Sequence, residues 1–182
     1  MALVESIQIP LNTTVPDFSL PTPDGTIISL DRSIGKNGCI IIFTCNHCPY
    51  AIAIWKRIIK LSHWAKNEGV TTIAINPNIH PNYPDDSADN MAKKITEWQI
   101  PFPYLVDASQ DVARNYKAQC TPDIYLISNT KSLQYHGQFD DNWQDESQVQ
   151  KQDLKEAILH LISGKPPLTQ QLPSMGCSIK WH

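Results

Sequence analysis

One junction in the chain leaves little choice of fold. An apolar run, Cys39-Ile-Ile-Ile-Phe43, passes through Thr44-Cys45-Asn46-His47-Cys48 into a helical pattern spanning about 49 to 66. The run is continuous and β-branched at its centre, which predicts a strand buried on both faces. The helix has apolar residues at 52, 55 and 59 and again at 54, 58, 61 and 65. So wide an apolar surface belongs to a helix packed on a sheet. Gly69 stops it, and residues 70 to 75 start a second apolar strand. Strand, helix, strand in this order implies a right-handed parallel crossover.

Two cysteines three apart at such a junction are placed for disulfide chemistry. The reading puts Cys45 at or next to the helix N-terminus. There, unpaired backbone N–H groups and the helix dipole favour a thiolate. Cys48 is expected one turn further in, on the same face and within bonding reach of Cys45. In the resulting scheme Cys45 attacks a disulfide, and Cys48 then displaces the reduced product from it.

The remaining segments fit around this unit. Residues 1 to 14 read as an irregular lead-in. Residues 17 to 20 and 26 to 30 read as short strands joined at Pro23-Asp24-Gly25. Three prolines between 76 and 86 exclude regular structure there. Asp85, Asp86 and Ser87 read as the acidic start of a helix carrying Met91, Ile95 and Trp98. A short helix is predicted over about 110 to 116, and a hairpin over 124 to 128 and 133 to 136. A last helix is predicted from about 148 to 163, with Gly164 as its cap.

Cys45-Asn46-His47-Cys48-Pro49 resembles the active-site motif of thioredoxin-fold proteins. The whole chain is most similar to the redoxin group, related to the alkyl hydroperoxide reductase/thiol-specific antioxidant family. Val15-Pro-Asp-Phe-Ser-Leu20, Cys120-Thr-Pro-Asp-Ile-Tyr-Leu126 and the Gly176–Trp181 segment add to the match. The resemblance implies an α/β fold: a thioredoxin-like three-layer α/β/α sandwich on a central mixed sheet. An N-terminal hairpin and a helix inserted between the central strands complete it. Residues 1–164 are expected to form this domain and 165–182 a C-terminal tail. The resemblance also implies a cis bond before Pro122, with Thr121 and Pro122 forming a substrate groove whose backbone is free to pair with an extended substrate. Cys120 is expected nearby, either a further redox thiol or a buried filler. Cys177 is either a redox thiol on a tail that folds back to resolve the Cys45–Cys48 pair, or a link to another chain, or incidental to docking by Ile179 and Trp181.

Asn46 and His47 are expected to tune the pair. The Cys-x-His-Cys pattern resembles protein disulfide isomerase, which predicts a potential nearer about −180 mV than the roughly −270 mV of thioredoxin. Two family features are missing. The strand position of thioredoxin's buried acid is Cys39, leaving the acceptor of the Cys48 proton unassigned. The peroxiredoxin pattern Pro-x-x-x-Thr/Ser-x-x-Cys also fails: Ile41 and Cys45 stand at its Pro and Thr positions counted from Cys48, and Gly38 and Ile42 counted from Cys45. Disulfide exchange is thus the expected activity, with an antioxidant role implied only by the family.

The expected partners are a protein or small-molecule disulfide and an electron-donating thiol system. No cofactor is called for. A net charge of −3, with no basic cluster interleaved with aromatics, gives no general attraction for nucleic acid or anionic lipid. No apolar run approaches the roughly 18 residues of a membrane span. The first residues lack the pattern of a secretory signal, so a cytosolic setting is expected, where five cysteines point to redox-active or reduced thiols. Two other readings remain open. In one, Cys45 and Cys48 with His47, Cys120 or a distant histidine bind copper or zinc, although the short-spaced second ligand pair of a structural zinc site is missing. Alternatively, the fold is a non-catalytic binding module. Asp140-Asp141 reads as a solvated loop, and His63, His80, His136 and His160 have no usable partner spacing.

Overall fold

The computed structural model describes residues 3–182. Its strands are β1 (Leu3–Glu5), β2 (Ser19–Pro21), β3 (Ile27–Ser29), β4 (Gly38–Phe43), β5 (Val70–Asn76), β6 (Tyr104–Val106), β7 (Cys120–Thr121), β8 (Asp123–Ser128), β9 (Leu133–His136) and β10 (Met175–Ser178). Its helices are α1 (Leu30–Ser33), α2 (Pro49–Asn67), α3 (Ala88–Trp98), α4 (Asp111–Asn115) and α5 (Asp153–Ile162). Single 3₁₀ turns cover Pro84–Asp86 and Glu146–Gln148.

The central sheet has the order β6-β5-β4-β8-β9. β4 is its middle strand, parallel to β5 and antiparallel to β8. All six β4 residues are buried, as a central strand requires. Its side chains alternate between two cores. Cys39, Ile41 and Phe43 pack with Phe18, Leu30, Tyr116 and Tyr125. Ile40 and Ile42 face Ile54 and Ile58 of α2 and Leu154 and Ile158 of α5. Such side chains contribute about 1.5–3 kcal/mol each when fully buried. α3 packs with Trp55, Ala74 and Tyr104 at the β6 side. The fold is the thioredoxin-like sandwich expected, with β2 and β3 as the hairpin and α3 as the insertion.

Several local expectations change. The last helix starts at Asp153, after the Glu146–Gln148 turn, and not at 148. Residues 3 to 5 are a strand within the expected lead-in. The segment after 164 returns to the body of the molecule: β10 lies between β1 and β7, antiparallel to both.

Candidate active site

α2 begins at Pro49, where the fixed φ of proline and its missing N–H suit a first helical turn. Cys48 is therefore the N-cap residue, and Cys45 lies three residues before it, off the helix. This reverses the expected placement. The physical reason is Pro49, which holds the first turn back behind both cysteines. Neither thiol stands at an open mouth: Cys45 and Cys48 are each 0% exposed and Cys177 is 2% exposed.

Three sulfurs meet here. Cys45, Cys48 and Cys177 form a buried cluster with Ala51, covered by Tyr50. Cys45 and Cys177 both lie close enough to Cys48 in this cluster to act on its charge. Donation from Cys45, helped by donation from Cys177 and from the backbone N–H groups of Ala51 and Cys177, pulls the Cys48 thiol down to about 5 despite burial. Cys45 moves the other way, well above an ordinary thiol. Burial is the main cause, followed by its bond to Cys48 and the nearby charge of Asp86. Cys177 is pushed up to about 12, again chiefly by burial. The acidic member of the pair is thus Cys48, not Cys45. When protonated, Cys48 Sγ donates to the Thr121 carbonyl at 2.9 Å; ionised, it gives up that bond and keeps its donors.

The Thr121–Pro122 peptide is cis. Thr121 Oγ1 lies 3.3 Å from Cys45 Sγ. The Thr121 backbone is not free for a substrate, contrary to expectation. β10 pairs with it, with Cys177 opposite Thr121 and Ser178 opposite Cys120. Gly176 permits this closeness: a Cβ there would lie 2.1 Å from the Thr121 carbonyl oxygen. Cys120 lies apart from the sulfur cluster, its Sγ directed at the Pro122 carbonyl at 3.4 Å, and burial keeps it protonated.

The two residues between the cysteines are fastened by an acid that the sequence did not point to. Asp86 is fully buried. Its Oδ1 accepts from the Asn46 backbone N–H at 2.6 Å and from Asn76 Nδ2 at 3.1 Å. Its Oδ2 faces His47 Nδ1. Asn46 Nδ2 donates to the Asp85 carbonyl at 2.7 Å, and Tyr104 donates to Asn46 Oδ1 at 3.1 Å. Tyr83 stacks on the His47 ring at 4.9 Å. Any positive charge on His47 is therefore answered by Asp86 before it reaches Cys45. The only sequence signal for this acid was its place at a helix start, 38 residues beyond Cys48. Cys45, His47 and Asp86 also bring ligand atoms within 4.8 Å of one another, a sulfur, nitrogen and oxygen set.

A second buried pair was also missed. His136 Nε2 is 2.8 Å from Asp123 Oδ1, directly after Pro122. Asp140 is not solvated either: it is buried and pairs with Arg57 at 2.5 Å, whereas Asp141 caps the neighbouring loop through the Gln150 N–H.

Residues 11–136 match the AhpC/TSA family model. The chain belongs to the AhpC/TSA family. No curated protein matches it. Among solved structures, an uncharacterized conserved protein from Geobacillus kaustophilus is 38% identical, with a TM-score of 0.95, covering 100% of this chain and 97% of its own. A hypothetical protein from Sinorhizobium meliloti 1021 is 35% identical, with a TM-score of 0.92 and 98% coverage of both chains. More distant is the peroxidoxin BcpB of Mycobacterium tuberculosis, at 15% identity and a TM-score of 0.63, covering 86% of this chain and 98% of its own. That last likeness establishes the thioredoxin-type fold. Family and fold together support a thiol redox role for this AhpC/TSA member.

Proposed function

We propose that the protein is a thiol–disulfide oxidoreductase in which Cys48 supplies the attacking thiolate and Cys45 is its exchange partner. The observation that carries this is the buried cluster of Cys45, Cys48 and Cys177, with Cys48 at the N-cap of α2, where the helix start favours its thiolate. Cys48 attacks a substrate disulfide, one substrate thiolate leaves, and a mixed disulfide forms. The Cys45 thiol then attacks Cys48 Sγ, releasing the second substrate thiol and closing the Cys45–Cys48 bond. The proton given up by Cys45 goes to the departing sulfur. A protein or small-molecule disulfide is the substrate, and a cellular dithiol regenerates the reduced pair. The setting that keeps such a dithiol reduced is the cytosol.

The test is reduction of an insulin disulfide with dithiothreitol as donor. Cys48→Ser lowers the rate to that of the uncatalysed reaction. A Cys48→Ser protein as fast as wild type overturns the proposal.

A second reading, metal binding, is favoured by the Cys45, His47 and Asp86 set alone. Both carboxylate oxygens already have protein partners, which argues for the redox reading. Elemental analysis of the purified, reduced protein separates the two: stoichiometric zinc or copper that Asp86→Asn removes supports the metal reading.

A further inference from the structure

Cys48 is the common neighbour of two other thiols, and the one-partner scheme uses only Cys45. The second partner arrives from the far end of the chain. β10 is held between β1 and β7, with Leu3 opposite Cys177 on one side and Thr121 opposite it on the other. Gly176 lies flat against the Thr121–Pro122 peptide, where any side chain would collide with Thr121. Ser174 and Ser6 tie the adjoining backbone down: the Ser6 N–H donates to the Ser174 carbonyl, and the Ser174 N–H donates to Ser6 Oγ, both at 2.9 Å. On the other side of Cys177, the Ile179 N–H donates to the Gln119 carbonyl at 3.0 Å. Cys177 is thus aimed at Cys48 by a strand anchored on both flanks. Its side chain packs in the buried cluster with Cys45 and Cys48, and Cys48 Sγ reaches, at 2.9 Å, the carbonyl of Thr121, the residue paired with Cys177.

We propose that Cys177 is a second, alternative disulfide partner of Cys48, so that the three thiols form a relay with Cys48 at its centre. The inference rests on the oxidoreductase reading and deepens it. In the mixed disulfide between Cys48 and a substrate sulfur, the Cys177 thiol attacks Cys48 Sγ. The bond from Cys48 to the substrate sulfur breaks, and the substrate leaves as a thiol carrying the Cys177 proton. The substrate disulfide gains two electrons, and Cys48 and Cys177 each lose one. A Cys48–Cys177 bond ties β10 across the site. Attack on it by Cys45 moves the disulfide to Cys45–Cys48 and frees Cys177 again with no net change in oxidation. The relay therefore couples the position of the C-terminal strand to which pair is joined.

The test oxidises the reduced protein with one equivalent of diamide, quenches it with acid, alkylates free thiols and maps linked peptides by mass spectrometry. Wild type gives a peptide containing Cys177 joined to the peptide containing Cys48. Cys45→Ser and Cys45→Ala each give the Cys48–Cys177 link as the main product, Cys177→Ser gives Cys45–Cys48 alone, and Cys48→Ser gives no intramolecular link. The inference is overturned if Cys48–Cys177 is missing from wild type and from both Cys45 variants while Cys177→Ser still closes Cys45–Cys48. That result leaves the oxidoreductase reading standing. No link in any of these proteins overturns both.

Discussion

At the residue scale, the proposal rests on the opposite environments of two buried sulfurs. Cys48 is drawn toward its charged form by its neighbours, Cys45 first, whereas Cys45 is held protonated chiefly by burial, with Cys48 and Asp86 adding to the shift. Ultraviolet absorbance of the thiolate should therefore titrate near pH 5 and vanish in Cys48→Ser. The sign follows from the lowered value: below about 5 Cys48 is protonated, so disulfide exchange slows as pH falls through that point. Cys45→Ala removes the largest stabilising donor. A hydrogen bond to a charged group is worth about 1.5–3 kcal/mol. At roughly 1.4 kcal/mol per pH unit, the titration should move up by about one to two units. The cysteine pair was legible in the sequence because spacing alone brings two thiols together. Which thiol is acidic was not, because that depends on Pro49 starting the helix late and on donors from residues 51 and 177. The role of Asp86 at the site was hidden for a similar reason: its partners Asn46, His47 and Asn76 meet it only through the fold.

At the scale of elements, β4, α2, β5 and the hairpins were legible because their apolar periodicity is local. β10 was not. Four residues, Met-Gly-Cys-Ser, carry no strand pattern, and only pairing with β1 and β7 makes them a strand. Cys177 of that strand packs in the buried cluster with Cys45 and Cys48, so lifting β10 would open the cluster. Gly176→Ala tests its grip. The added methyl meets the Thr121 carbonyl oxygen at 2.1 Å, too close to be absorbed without moving the backbone. Overpacking of this kind costs about 1–3 kcal/mol. If that strain is relieved when β10 lifts, alkylation of Cys48 by iodoacetamide should accelerate by roughly 5–150-fold. An unchanged rate means that β10 does not guard Cys48.

At the scale of the molecule, the site is fixed by long-range ties more than by its own loop. Arg57 on α2 holds the stretch after β9 through Asp140 at 2.5 Å and through the Asn142 and Trp143 carbonyls at 2.9 and 2.6 Å. Trp143 in turn packs on Tyr50, which covers the sulfur cluster, with ring centres 4.2 Å apart. Burial raises the Asp140 carboxyl, and Arg57 opposes that shift. Arg57→Ala leaves a buried carboxylate unpaired, and chemical denaturation should show a loss of about 3–5 kcal/mol. A loss under about 1 kcal/mol would show that the pair is solvated in solution.

The account depends on Cys45 and Cys48 exchanging electrons as one pair, and a redox titration measures that directly. In glutathione buffers of graded potential, with alkylation to count free thiols on mapped peptides, Cys48 should oxidise in a single two-electron transition, and Cys45 should lose its free thiol at the same midpoint. A Cys48 value near 5 favours the reduced form, so the midpoint should lie nearer about −180 mV than −270 mV. A midpoint at thioredoxin's value would contradict the argument from Cys48 acidity. Cys45 and Cys48 remaining reduced across the whole range would contradict the account itself.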